Sequence, residues 1–169
     1  MTAQMVQTQD ETTVVGLGEL KVSKDRTSAL ACLGLGSCVC VAGYDPVSKV
    51  GGMAHVVLPD SGGRASSPDP KYADMAIPML LEEMRECGAL KIRTVIKLAG
   101  GAELSTAPGL DNAFKIGEKN QEAVKVALSK EGVKVKSEEL GGNKGRTVRM
   151  YVDTGRVVVT TAGSDSREL

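Results

Sequence analysis

The stretch Leu33-Gly34-Leu35-Gly36-Ser37-Cys38-Val39-Cys40 runs a glycine-rich turn directly into a thiol, and a second thiol follows two residues later. A thiolate is a strong nucleophile, but an unperturbed thiol is mostly protonated near neutrality and needs a neighbouring base. The chain has one histidine, His55. Small residues at Gly36 and Ser37 let a substrate approach the backbone, and N–H groups freed at such a turn can receive a developing oxyanion. These residue types point to covalent catalysis by Cys38 with His55 as its base, and with Gly36 and Ser37 lining the oxyanion site. The blander alternative is a set of small buried hydrophobes beside a structural imidazole, and Cys40 and Cys87 fit it.

Spatial separation decides between these readings. Residues 38–58 read as a β-hairpin, two runs of strand-forming residues around the turn sequence Asp45-Pro46-Val47-Ser48-Lys49. A turn centred on Pro46–Val47 pairs position 38 with 55, with Cβ atoms about 4.5–5.5 Å apart. Moving that centre by one residue pairs 38 with 57 and leaves His55 a diagonal neighbour on the same face, at about 7–8 Å. A single-residue slip in register puts the two on opposite faces. The sequence leaves that choice open.

Other chemistries fit less well. Gly34 and Gly36 begin a dinucleotide-binding glycine pattern, but its third glycine falls on Val39, no helix pattern follows, and no Lys-Ser/Thr pair completes a P-loop. A zinc site from Cys32, Cys38, Cys40 and His55 is disfavoured because C-x5-C-x-C contains no C-x2-C pair, and because Cys38 and Cys40 are taken to point to opposite sides of their strand. No metal or other cofactor is expected. Lys+Arg and Asp+Glu balance at 21 each, which argues against nucleic acid or an anionic membrane as a partner. No stretch approaches the ~18 consecutive apolar residues of a membrane span. The polar start "MTAQMVQTQDETT" lacks the features of a signal peptide. A cytoplasmic protein with reduced thiols is therefore expected.

The elements that must position these residues follow from periodicity and punctuation. Residues 1–12 read as a flexible tail, and 13–169 as one domain. Strands are expected at 13–20, 29–36, 38–45, 50–59 and 92–102, and again at 133–140, 146–153 and 156–162. Residues 60–70 and 103–115 read as loops. Asp69-Pro70 offers a start for a helix ending near Cys87, with Met75, Met79, Leu80 and Met84 as its apolar stripe, Gly88 as its stop and Pro78 as a kink. A second helix is expected at 120–132, turning Ala123, Val124, Ala127 and Leu128 inward. Strands at both ends around two helices predict an α/β fold of the α+β type, a layered sandwich of mixed or antiparallel sheets flanked by helices.

With the motifs assembled, "LGLGSCVCVAGYDPVSKVGGMAHVVLPDSGG" resembles the CheD family of chemoreceptor glutamine deamidases. "KYAD" at 71–74, "KLAGGA" at 97–102, "IGEKNQEAV" at 116–124 and "ELGGNKGRTV" at 139–148 extend the resemblance over about 14–160. It implies a sandwich similar to the catalytic core of the cytotoxic necrotizing factors, and deamidation of selected receptor glutamines. Receptor methylesters are implied as further substrates. Implied partners are the cytoplasmic helices of methyl-accepting chemotaxis receptors and a CheC-type phosphatase, with localisation at receptor arrays. By position, Cys38 matches the family's nucleophile and His55 its base. The family usually carries a threonine six residues before the cysteine to orient the histidine, and here that position is Cys32. The orienting role then falls to Cys32, to a backbone carbonyl or to Thr27. The segment 103–115 also departs from the family pattern. A catalytically weak adaptor for the phosphatase is the alternative reading.

Overall fold

The computed structural model describes residues 11–104 and 115–169. The expected loop at 103–115 and most of the expected tail fall largely outside them. Ten strands and two helices form three layers: one sheet, a second sheet packed on it, and the helices over the second sheet's far side. The α+β sandwich of mixed sheets read from the sequence is the architecture found.

Residues expected as one strand at 13–20 divide between sheets. β1 (Glu11–Val14) pairs parallel with β3 (Ser28–Leu35), whereas β2 (Leu20–Ser23) pairs antiparallel with β5 (Val50–Val56). Glu11 and Thr12, expected in the tail, thus belong to a ladder. β4 (Val39–Asp45) lies between β5 and β6 (Val95–Gly100), and β7 (Val135–Leu140) completes that sheet in the order β2-β5-β4-β6-β7. The other sheet runs β1-β3-β8-β9-β10, with β8 at Arg146–Tyr151, β9 at Val157–Thr161 and a short β10, Ser166–Glu168, that the sequence did not suggest. The chain crosses from one sheet to the other twice near the candidate chemistry, between β1 and β2 and between β3 and β4.

All of β4 and β5 are buried. Alternation explains how both of their faces are used. Val39 and Val41 join Ala54 and Val56 under the helices, while Cys40, Ala42, Tyr44 and Met53 face the first sheet. Helix α1 (Ala73–Glu86) starts later than expected, because Asp69 closes a turn by accepting from the Lys71 N–H at 3.0 Å. It buries Ala73, Ala76, Ile77, Leu80 and Met84; Met75 and Met79 lie at the margin. The helix continues through Pro78, whose ring is on the exposed side. Helix α2 (Ile116–Lys130) begins a turn earlier than expected and buries Gly117, Asn120, Val124, Ala127 and Leu128.

The hairpin register is settled at its turn. Asp45 pairs with Val50, so Cys40 pairs with His55 and Val39 with Val56. Of the registers open from sequence, this is the one that sets position 38 opposite 57. Asp45 is fully buried and accepts from the N–H groups of Val47 (2.9 Å) and Leu90 (2.9 Å). The Arg93 guanidinium grips the same carboxylate at 2.8 Å. Burial alone would raise this carboxyl's pKa, but Arg93 and the N–H groups hold it well below the usual carboxylate range. Because the folded value is depressed, the stabilisation is present above the ordinary carboxylate pKa of about 4 and is lost as pH falls toward the folded value. Asp45→Ala leaves Arg93 facing an uncompensated pocket and should cost about 3 kcal/mol in urea unfolding. Acidification below about pH 4 should weaken the parent protein more steeply than Asp45→Asn. Equal acid sensitivity of the two would contradict this account.

Candidate active site

The octet that opened the sequence reading spans the second crossing between sheets. β3 ends in an irregularity between Cys32 and Leu35, where Gly34 adopts φ +61°, and Gly36-Ser37-Cys38 carry the chain across to β4. The carbonyls of this turn are all held. Gly36 accepts from the Ala102 N–H (2.8 Å), Cys38 from the Gly101 N–H (2.7 Å), and Ser37 from the Asn120 side chain (3.0 Å). Gly100 packs so closely against the Cys38 carbonyl, at φ +110°, that a Cβ there would collide with it. Among the described residues, the N–H groups of Ser37 and Cys38 make no backbone hydrogen bond.

His55 is pinned by the first crossing. Its N–H donates to the Glu19 carbonyl (2.9 Å), and its carbonyl accepts from the Gly18 N–H (3.0 Å). Its Nδ1 lies 3.0 Å from the carbonyl oxygen of Val15. A carbonyl only accepts, so Nδ1 carries the proton and Nε2 is the basic nitrogen of the neutral ring. Nε2 is buried without a fully formed hydrogen bond among the described residues. The Cys32 and Cys38 thiols act on the imidazole as a whole.

Cys32, from the first sheet, faces Cys40 and His55 from the second, and all three thiols share one buried cluster between the sheets. Cys38 and Cys40 therefore point to the same side, correcting the expectation of opposite faces: positions two apart share a face of a strand. Among the described residues no three His, Cys, Asp or Glu side chains are grouped as metal ligands. Cys32 and Cys40 are fully buried, whereas Cys38 retains 9% exposure. Burial opposes charging His55, but the Cys32 and Cys38 thiols and the Val15 carbonyl outweigh it and raise the imidazole to about 10. Hydrogen bonding with Cys40 lowers Cys32 to about 6 against the opposing effect of burial, and His55 adds to the lowering. These shifts favour a Cys32 thiolate beside a charged His55.

Thr27 bonds to Asp25 at the surface (2.7 Å) and does not orient the histidine. The Val15 carbonyl does so, and no side-chain pattern could have announced it. Sequence reading also missed Asn120 and Gln121 of α2. Asn120 Nδ2 donates to the carbonyls of Ser37 (3.0 Å) and Val57 (2.9 Å), and Gln121 Nε2 donates to Gly101 (2.8 Å). A polar residue on the buried stripe of an amphipathic helix was the available signal for Asn120. Arg146 further buttresses the turn by donating to the carbonyls of Gly100 (3.0 Å) and Gly141 (2.6 Å). A cavity of about 400 Å³ between α1 and α2, lined by Pro59, Asp74, Pro78 and Val126, lies on the helical side of the second sheet, away from Cys38.

Residues 57–161 match the family model for CheD chemotactic sensory transduction. This chain belongs to the CheD family. It is 43% identical over 157 residues to the probable chemoreceptor glutamine deamidase CheD of Symbiobacterium thermophilum, covering 92% of this chain and 95% of that protein. It is 45% identical over 150 residues to the chemoreceptor glutamine deamidase CheD of Thermotoga maritima, covering 89% and 92%. The probable chemoreceptor glutamine deamidase CheD of Archaeoglobus fulgidus is 42% identical over 146 residues, covering 86% of this chain and 90% of that protein. Among solved structures, Bacillus licheniformis hypothetical protein YfiH covers 78% of this chain and 59% of its own at 15% identity and a TM-score of 0.43. That level of likeness carries no argument, and it lends no support to the similarity with the cytotoxic necrotizing factor core. No helix among the described residues is long and apolar enough to cross a membrane.

The single histidine of this CheD-family chain makes its titration directly readable. By NMR, the imidazole should stay charged well above the ordinary histidine range, since its pKa is raised. Cys32→Ala removes the foremost raising influence and leaves burial opposed by less, so the titration midpoint should fall. A midpoint at or below the ordinary value of about 6.5 in the parent protein would refute the thiol–imidazole coupling.

Proposed function

We propose that this protein deamidates glutamine side chains of chemotaxis receptors through a Cys38 thioester, as the names of its CheD relatives suggest for the reaction class. The observation that carries the reading is the aim of His55. Val15 holds Nδ1 and so leaves Nε2 as the basic nitrogen, the Cys32 and Cys38 thiols both raise the imidazole, and of those two only Cys38 retains any exposure. Proton exchange with His55 makes Cys38 a thiolate, which attacks the carboxamide carbon of the receptor glutamine. The oxyanion of the tetrahedral intermediate is received by the N–H groups of the Gly36–Cys38 turn. Imidazolium then protonates the departing nitrogen, which leaves as ammonia, and a thioester remains. Water loses a proton to Nε2 and attacks the thioester carbon. The thiolate is expelled, and the glutamine has become glutamate. A receptor methylester follows the same steps, with methanol as the leaving group. No metal or other cofactor enters this scheme. Such chemistry takes place at the cytoplasmic helices of the receptors and therefore at receptor arrays.

The adaptor alternative, binding to a CheC-type phosphatase without catalysis, was motivated by Cys32 standing in the usual threonine position. Orientation of His55 by a backbone carbonyl removes the need for that threonine and favours the enzyme.

Incubation with receptor cytoplasmic fragments should convert glutamine to glutamate, read by peptide mass spectrometry. Cys38→Ala should reduce conversion to below about a thousandth of the parent rate while circular dichroism stays unchanged. Conversion that persists in Cys38→Ala rules the mechanism out.

A further inference from the structure

Asn120 has no role in the mechanism above, yet it is fully buried at the seam between α2 and the candidate active site. Its single amide nitrogen donates to two carbonyls on different chain segments, Ser37 at 3.0 Å and Val57 at 2.9 Å. Ser37 immediately precedes Cys38, and Val57 follows His55 by two residues. The β4–β5 ladder ends at the pair Val39–Val56, so the next rung would join positions 38 and 57. The Asn120 side chain stands at that rung and ties together the two strands where they have just parted. The adjacent Gln121 holds the Gly101 carbonyl (2.8 Å), and the Gly101 N–H in turn holds the Cys38 carbonyl (2.7 Å). Successive residues of one helix thus clamp the backbone on both sides of the thiol.

The amide orientation is dictated by its surroundings, because two facing carbonyls require the nitrogen between them. The oxygen Oδ1 is then left buried with no partner among the described residues. A buried unsatisfied acceptor is unfavourable, and a leucine of similar volume would avoid it. The rest of the stripe is apolar or small: Gly117, Val124, Ala127 and Leu128. Packing alone does not account for an amide at this position; the two carbonyls beside the reactive pair do.

We propose that Asn120 is a positioning residue that sets the approach of Cys38 to His55 by clamping the Ser37 and Val57 carbonyls. This deepens the Cys38–His55 reading and rests on it. Asn120→Leu removes both donors and the orphaned acceptor together. That leaves the Ser37 and Val57 carbonyls without their side-chain donor, so unfolding stability should fall, while the deamidation kcat should fall on the order of tenfold to a hundredfold with KM changed by less than about twofold. A second readout needs no receptor: the rate of Cys38 alkylation by iodoacetamide, followed by mass spectrometry, should fall by about tenfold or more. Failure of the parent protein to convert any receptor glutamine would count against the deamidase reading alone, since alkylation still decides the role of Asn120. Should Asn120→Leu not fold, Asn120→Ser, which keeps one donor on a shorter arm, should give intermediate alkylation and kcat. Parent-like alkylation and kcat in whichever variant folds would overturn the proposal.

Discussion

The buried Asp45 carboxylate is the anchor on which the candidate site depends. It satisfies N–H groups of its own turn, the N–H of Leu90 and the Arg93 guanidinium at once. By closing the turn so that Asp45 pairs with Val50, it determines which residue lies across from every other along β4 and β5. Strand side chains alternate between faces, so a slip of one residue would turn His55 toward the helices and away from the thiols. An ion pair near the end of the hairpin opposite Cys38 therefore fixes which face His55 presents at its other end.

Given that register, the site is assembled where three layers meet. The first sheet contributes Cys32, the second contributes Cys40 and His55, and the two crossings between them contribute the Val15 carbonyl and Cys38. The helical layer reaches in through Asn120. Where the chain changes sheets its backbone N–H groups leave the ladders, and the turn before Cys38 is such a place. The low-dielectric layer between the sheets strengthens the mutual influence of thiols and imidazole, which is why His55 rises despite its burial. Exposure then separates otherwise similar thiols: Cys32 and Cys40 are fully buried, and Cys38 retains some exposure.

Much of this was legible in the chain. The hairpin, both helices and the layered α+β architecture all follow from local pattern, whereas the register that relates the single histidine to the thiol after Gly36-Ser37 does not. Errors arose where tertiary structure overrides it. The run 13–20 looked continuous because β propensity does not register a change of sheet, although its middle residues form the loop that grips His55. Cys38 and Cys40 were assigned to opposite sides of a strand, against the two-residue period that puts them together. Asn120 read as a polar residue near a helix start because its partners, Ser37 and Val57, are 83 and 63 residues away in sequence.

Residue types and order determined the reactive vocabulary: one imidazole, a thiol behind a glycine turn, and a hairpin able to bring them together. Those properties are local, carried by side-chain chemistry and by strand and turn preferences over a few residues. Register, exposure and orientation were decided by the tertiary structure. They depend on Asp45 finding Arg93, on Val15 offering a carbonyl from the crossing after β1, and on a helix closing over the seam. Each is a contact between distant segments whose energy no short window of sequence contains.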